Sequence, residues 1–248
     1  MRVAALYDIH GNLPALEAVL EEIRRTQVDH VVVGGDVIPG PMPCETLKRL
    51  VDLEIPLQFI LGNGEVAVLE QLAGRELTAV PEPYRPIIRW TAQQIDPEYG
   101  QLVAGWPKTL CIEVSGLGKI LFCHATPQNE NDIFTRSTPE PSLAPLFEGV
   151  DASVVACGHT HMQFDRMVAG IRVVNAGSVG MPFGEPGADW LLLGPEVQLR
   201  HTAYDLATAA ERIRGTDYPQ AKEFAARSVL HPPSKKEMLE AFSRVERR

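Results

Sequence analysis

Val3-Ala4-Ala5-Leu6-Tyr7-Asp8-Ile9-His10-Gly11-Asn12-Leu13-Pro14-Ala15-Leu16 decides the fold class. Its first five residues are one apolar run, the pattern of a strand covered on both faces. From residue 12 the period changes. Leu13, Leu16, Leu20 and Ile23 fall on one helical face, Asn12 is placed to cap, and Pro14 fits a first turn. An aspartate and a histidine stand between strand and helix. Apolar runs at 31–33 and 57–61, with a second helical stretch at 43–51 between them, complete a β-α-β-α-β opening. That order predicts a right-handed, mostly parallel start to a sheet.

Further along, residues 65–107 read as helical, in pieces near 65–73, 85–95 and 97–105. They carry Tyr84, Trp90, Tyr99 and Trp106, which are expected to pack in the core rather than stack on a nucleobase. Residues 109–123 read as a hairpin around Ser115-Gly116-Leu117-Gly118 that ends in a fourth apolar run at 120–123, and a fifth occupies 153–157. Four prolines and few apolar residues predict a long surface loop over 126–149. Strands are expected again at 164–168, 172–175, 190–193 and 197–204. The last forty residues read as helical, with Ser234-Lys235-Lys236-Glu237 a capping box for a final helix carrying Met238, Phe242 and Val245 on one face.

The chain has 248 residues, 45% hydrophobic and 22% charged, which is the globular range and excludes a disordered or fibrous chain. No apolar run approaches a membrane span or a signal-peptide core, so the expected location is the cytoplasm. Net charge is −9. Residues 205–248 carry +2 and the remainder −11, an acidic body that argues against stable binding to nucleic acid or an anionic membrane. Cysteines 44, 111, 123 and 157 form no C-x-x-C pair and are expected to be buried free thiols.

The chemistry is concentrated where the five apolar runs end. After them come Asp8-x-His10, Gly35-Asp36, Gly62-Asn63-Gly64-Glu65, His124, and Gly158-His159-x-His161. In open α/β sheets, ligands bind beyond the carboxyl ends of the strands. If these strands are neighbours, two Asp, one Asn and four His converge on one rim. Seven N/O ligands exceed one tetrahedral zinc but suit two ions sharing a carboxylate. Each residue alone is more often a cap, a turn or a satisfied polar pair; the joint pattern changes that. His30, His201 and His231 lie elsewhere and are read as structural.

In these five blocks, taken in order over about residues 1–200, the sequence resembles the calcineurin-like metallophosphoesterases, whose pattern is D-x-H, G-D, G-N-H-D/E, H and G-H-x-H. Residues 8–16, Gly35-Asp36-Val37-Ile38-Pro39-Gly40-Pro41 and Asn175-Ala176-Gly177-Ser178-Val179-Gly180 are similar to the bacterial and archaeal phosphodiesterase-type branch. The resemblance implies an α/β fold of two mixed β-sheets packed as a sandwich flanked by helices. It implies a domain over 1–204 with a helical insertion near 65–107, and 205–248 as a helical extension of that domain.

It further implies that Asp8, His10 and His161 hold one divalent ion and Asn63, His124 and His159 the other, with Asp36 bridging. Catalytic roles fall to Asp36, Asn63 and His124. The mixed ligand set favours Mn, taken first, and Fe, Zn or Ni over Mg or Ca. A water shared by two ions is acidified enough to attack phosphorus, and the pair clamps the displacement. The expected activity is a di-metal phosphodiesterase acting on a small-molecule or nucleotide phosphoester. A phosphomonoesterase or protein phosphatase, a diadenosine-polyphosphate hydrolase, and a non-catalytic scaffold like the retromer subunit of this fold are the alternatives.

One position departs from the pattern. Gly64 stands where the family has a histidine able to protonate the leaving oxygen, a loss worth roughly 10²–10⁴-fold on poor leaving groups. The departure points toward aryl esters, anhydrides and activated diesters. Gly64→His is expected to restore the donor, provided the turn tolerates a side chain. Arg136, in the long loop, and Asn12 are candidate substrate contacts, although capping is the stronger reading of Asn12.

Overall fold

The computed structural model describes residues 1–245. The elements run in the order β1 (Val3–Leu6), α1 (Leu13–Thr26), β2 (His30–Val33), α2 (Pro43–Val51), β3 (Leu57–Phe59) and α3 (Asn63–Leu72). Next come α4 (Arg85–Gln94), α5 (Pro97–Ala104), β4 (Thr109–Val114), β5 (Gly118–Cys123), α6 (Glu140–Leu143), β6 (Val154–Cys157), β7 (Phe164–Val168) and β8 (Ile171–Asn175). The chain continues through β9 (Ala188–Leu193), β10 (Val197–Thr202), α7 (Leu206–Arg214), α8 (Ala221–Phe224) and α9 (Lys235–Val245).

The strands form two mixed five-stranded sheets, ordered β10-β9-β1-β2-β3 and β4-β5-β6-β8-β7. In the first, β1, β2 and β3 are parallel and β9 runs antiparallel to β1. In the second, β5, β6 and β8 are parallel, with β4 and β7 antiparallel at the edges. The expected α/β sandwich of two mixed sheets is therefore the fold.

Strand alternation divides the core. Val3, Ala5, Tyr7, Val32 and Leu191 of the first sheet meet Ile120, Phe122, Val154, Ala156 and Val174 of the second. The alternate residues Ala4, Leu6, Val31 and Val33 face outward, where they pack on Leu16, Leu20 and Ile23 of α1, Leu47 of α2, and the helices α3, α4 and α5. Both faces of each central strand are thus covered, as the continuous apolar runs require. Asn12 caps α1 by accepting from the Ala15 N–H, and Pro14 sits in the first turn.

Three expectations change. Residues 126–149 are not simply a surface loop. Phe134, Leu143 and Phe147 are buried on the outer face of the second sheet, with α6 and the 3₁₀ turn Ala144–Phe147 carrying two of them. The thiols are not all buried either. Cys123 and Cys157 are, but Cys44 is half-buried and Cys111 exposed, because β4 is an edge strand whose alternate positions face solvent. Among the aromatics of residues 65–107, Trp106 stacks on Phe59 at 4.3 Å, Trp90 meets Tyr218 edge-on, and Tyr99 packs against the core, but Tyr84 stays exposed. Among the described residues no helix is long and apolar enough to cross a membrane.

Candidate metal centre

Past the ends of β1 and β2 the two chains keep pairing as loops. Asp8 N donates to Gly35 O, His10 N to Asp36 O, and Gly11 N to Val37 O. This continued pairing sets Asp8, His10 and Asp36 side by side. β3 and the start of α3 deliver Asn63 from the same sheet. The second sheet delivers His124 from the end of β5 and His159 and His161 from the end of β6. All seven candidate ligands named above meet at the seam between the sheets.

Asp8 Oδ1 lies at the centre. It is 3.2 Å from His161 Nε2, 3.8 Å from His124 Nε2 and 3.9 Å from His10 Nε2. It is buried and accepts no hydrogen bond. Asp36 faces both ways, with Oδ2 3.8 Å from His10 Nε2 and Oδ1 3.7 Å from His124 Nε2. Two sets can each hold an ion: Asp8, His10 and His161, and Asp8, Asp36 and His124. Asn63 Oδ1 is 3.0 Å from His124 Nε2. His159 lies beside His124, ring centroids 5.2 Å apart, outside both sets.

The imidazoles are oriented from behind. His10 Nδ1 faces Pro39 O at 3.1 Å, His124 Nδ1 faces Gly34 O at 2.8 Å, and His161 Nδ1 faces Met181 O at 3.1 Å. A carbonyl can only accept, so each Nδ1 carries the proton and each Nε2 turns its lone pair inward. His10 Nε2 and His161 Nε2 stand 3.2 Å apart with two lone pairs between them. Lone pairs and an orphaned carboxylate oxygen converging on one point are the donor set a divalent cation needs. The residues present fit the metal that the sequence pattern implies.

Burial opposes charge on Asp8, but His161 and His124 hold its carboxyl well below the usual range. Burial keeps His10 low and, with His124 opposite, pushes His159 down to about 4, which favours the neutral ring at both. His124 is buried too, yet Asp36 and Asp8 raise it.

Five of the seven residues hold left-handed backbone without being glycine: Asp8, His10, Asp36, His159 and His161, with φ from +49° to +66°. Each such residue costs on the order of 1–3 kcal/mol and persists only where its surroundings enforce it. Glu65 is one enforcer. Its buried carboxylate accepts from the N–H groups of Asp36, Val37, Ile38 and Gly62, binding the Asp36 loop to the Asn63 turn. Burial and the nearby Asp36 push its carboxyl up to about 7, against those four donors. Asn175 is another: its Nδ2 donates to Gly158 O at 2.6 Å and to Thr160 Oγ1 at 3.2 Å, holding the loop that carries His159 and His161. Ser178 Oγ donates to Asp8 O at 2.7 Å. Sequence reasoning quoted these three residues within motifs but gave none of them this task.

Two substrate candidates do not join the cluster. Asn12 is fully buried, its Oδ1 held by Ala15 N and its Nδ2 donating to Gly180 O at 2.9 Å, so it has no surface for a substrate. Arg136 is exposed and shares none of the contacts above; its backbone carbonyl accepts from Arg166. Gly64 is tighter than its sequence context suggests. A Cβ there would run into Pro39 Cγ and stand 2.9 Å from Asp36 Oδ1, so the turn does not tolerate a histidine in place.

The calcineurin-like phosphoesterase superfamily domain matches residues 1–194, and the chain belongs to that superfamily of metal-dependent phosphoric ester hydrolases. An uncharacterized protein of Methanocaldococcus jannaschii is 26% identical over 239 residues, 88% of this chain and 94% of the relative. A hypothetical protein from Pyrococcus horikoshii shares the fold with a TM-score of 0.79 at 20% identity, over 94% of this chain and 99% of its own. A metallophosphoesterase from Sphaerobacter thermophilus gives a TM-score of 0.68 at 25% identity, over 92% and 99%.

Proposed function

We propose that this member of the calcineurin-like phosphoesterase superfamily is a di-metal phosphodiesterase that hydrolyses a small-molecule or nucleotide phosphoester with an acidic leaving group. The observation that carries the reading is the buried Asp8 Oδ1, without a hydrogen bond and ringed by the Nε2 atoms of His10, His124 and His161. Asp8, His10 and His161 are assigned to one ion, and Asn63, His124 and His159 to the other. Asp36, with one oxygen toward each half, is assigned as the bridge.

Two divalent ions, when bound, supply Lewis acidity toward the phosphoryl oxygens and lower the pKa of water. The chain's own residues do the rest. The carbonyls of Pro39, Gly34 and Met181 hold three imidazoles with their lone pairs inward before any ion arrives, which limits reorganisation. Asp8 and Asp36 contribute only −2 against the ions' +4, so the centre attracts a phosphate despite the acidic body. Gly64 offers no proton to the leaving oxygen, which restricts efficient turnover to groups that depart as stable anions.

Metal analysis with turnover of bis-aryl and mono-aryl phosphates tests the reading. About two ions per chain and faster diester cleavage are expected. Faster monoester cleavage would mark a phosphomonoesterase. Two ions without turnover of any phosphoester would favour the scaffold.

A further inference from the structure

Beyond residue 194, where the superfamily match ends, the chain adds a helix that reaches the candidate centre. Phe183 lies against His161, ring centroids 5.4 Å apart and planes 29° from parallel. Its loop is pinned from two sides: Phe183 N donates to His161 O at 3.3 Å, and Gly184 N to Pro233 O at 2.9 Å. Across from Phe183 stands Phe242 of α9, at 6.3 Å and a tilt of 53°. Both phenylalanines are only half-buried.

Core burial does not explain where α9 sits, because none of its side chains is buried. The helix is held at its start instead. Ser234 and Glu237 form the expected capping box, and the stem of Lys235 passes close over Gly184. An open pair of aromatic rings with the His161 imidazole behind it suits a flat ring joined to a phosphate. A compact alkyl group would gain little there, whereas a ring gains stacking in addition to buried area.

We infer that Phe183 and Phe242 form the wall of the substrate site that receives the organic group of the phosphoester, and that this group is a flat aromatic or heteroaromatic ring. The inference rests on the phosphoesterase reading. It makes α9 a specificity element and places Phe242 outside the metal-binding machinery.

Three diesters that share a 4-nitrophenolate leaving group and differ in the second ester, methyl, phenyl or thymidine-5′, separate recognition from chemistry. The wild-type protein should show a KM at least about 5-fold lower for the ring-bearing esters than for the methyl ester. Phe242→Ala should erase that difference, with kcat within about 2-fold and metal content unchanged, and Phe242→Trp should retain it. A preference for the phenyl ester alone identifies an aryl ester, and for the thymidine ester alone a nucleotide; each supports the wall. Equal KM for all three esters in the wild type, or an equal shift of all three in Phe242→Ala, overturns it. Were none of the esters hydrolysed, the phosphoesterase reading would fall. Calorimetric binding of phenylphosphonate against methylphosphonate to the same metal-loaded proteins would then still decide the wall, with equal affinities overturning it.

Discussion

The backbone N–H of Gly64 donates to Asp36 Oδ1 at 2.7 Å, from the first turn of α3. The helix start thus points a donor at the carboxylate assigned to both ions, and its positive end favours the charge there. The same closeness leaves no room for a side chain. The missing histidine of the family pattern and the seating of Asp36 are two sides of one contact.

Gly64→His is therefore expected to lower activity rather than restore a proton donor, and Gly64→Ala to do likewise by roughly 10-fold or more, because the added Cβ displaces Asp36 or the turn that donates to it. In the unmodified enzyme, log rate should fall steeply as leaving-group pKa rises. Kinetics on a series of aryl esters measures both. A shallow slope would show that another residue supplies the proton.

Asp36→Asn should remove nearly all activity, at least about 100-fold, and weaken both ions. Metal titration alongside turnover checks this. A variant that keeps two ions and near-normal rate would remove Asp36 from the bridging position.

His161→Ala and His124→Ala should deplete different ions, since their Nε2 atoms belong to different sets around Asp8. Anomalous scattering from crystals of the two variants distinguishes the positions. Equal loss at both positions in both variants would contradict the division.

The left-handed backbone makes a prediction that needs no metal. At His159, φ +66°, the metal-free Gly variant should be about 1 kcal/mol more stable than the Ala variant, because only the Cβ is penalised there. At Asn63, in the first turn of α3, the order should reverse by about 0.5–1 kcal/mol. Denaturant midpoints of the four proteins decide it, and the same order at both positions would refute the account.

His201 offers a pH test away from the centre. Its Nδ1 is 2.7 Å from Asp189 Oδ1, and that hydrogen bond raises the imidazole pKa above its ordinary value against partial burial. A raised folded-state pKa stabilises the protonated form. The contribution is complete below about pH 6.5 and fades as pH rises through the folded value. The melting-temperature gap between wild type and His201→Ala should be larger at pH 5.5 than at pH 8.5. Solvent screening of this part-exposed pair keeps its worth to at most about 1 kcal/mol. A gap that widens with pH would reverse the sign.

The strands and the meeting of the ligands were legible because apolar runs end directly in charged or imidazole side chains, and parallel strands bring such ends together. What stayed hidden is non-local. Nothing near Gly64 in sequence announces Pro39, which arrives on another loop. Phe183 lacks any periodic partner, and Phe134, Leu143 and Phe147 are spaced among prolines that mask their shared burial. Left-handed residues such as Asp8 are enforced by hydrogen bonds from distant segments, so no local propensity reports them. Asn12 was readable both as a cap and as a contact, and burial decided for the cap.

Four of the assigned ligands hang from one sheet and three from the other, and the apolar interior between them, with hydrogen bonds across the seam such as that of His124 to Gly34, fixes their separation. Protein interiors are packed as densely as organic crystals, so the side-chain volumes of this one act as a spacer gauge for the chemistry above. Since a misplacement of about 1 Å can cost 10²-fold in rate, Leu191 and Ile120, neither of them an assigned ligand, belong to the calibration of the enzyme as much as to its stability. Divergence among relatives can then retune the reaction by exchanging one buried methyl group for another, leaving every metal-binding residue in place.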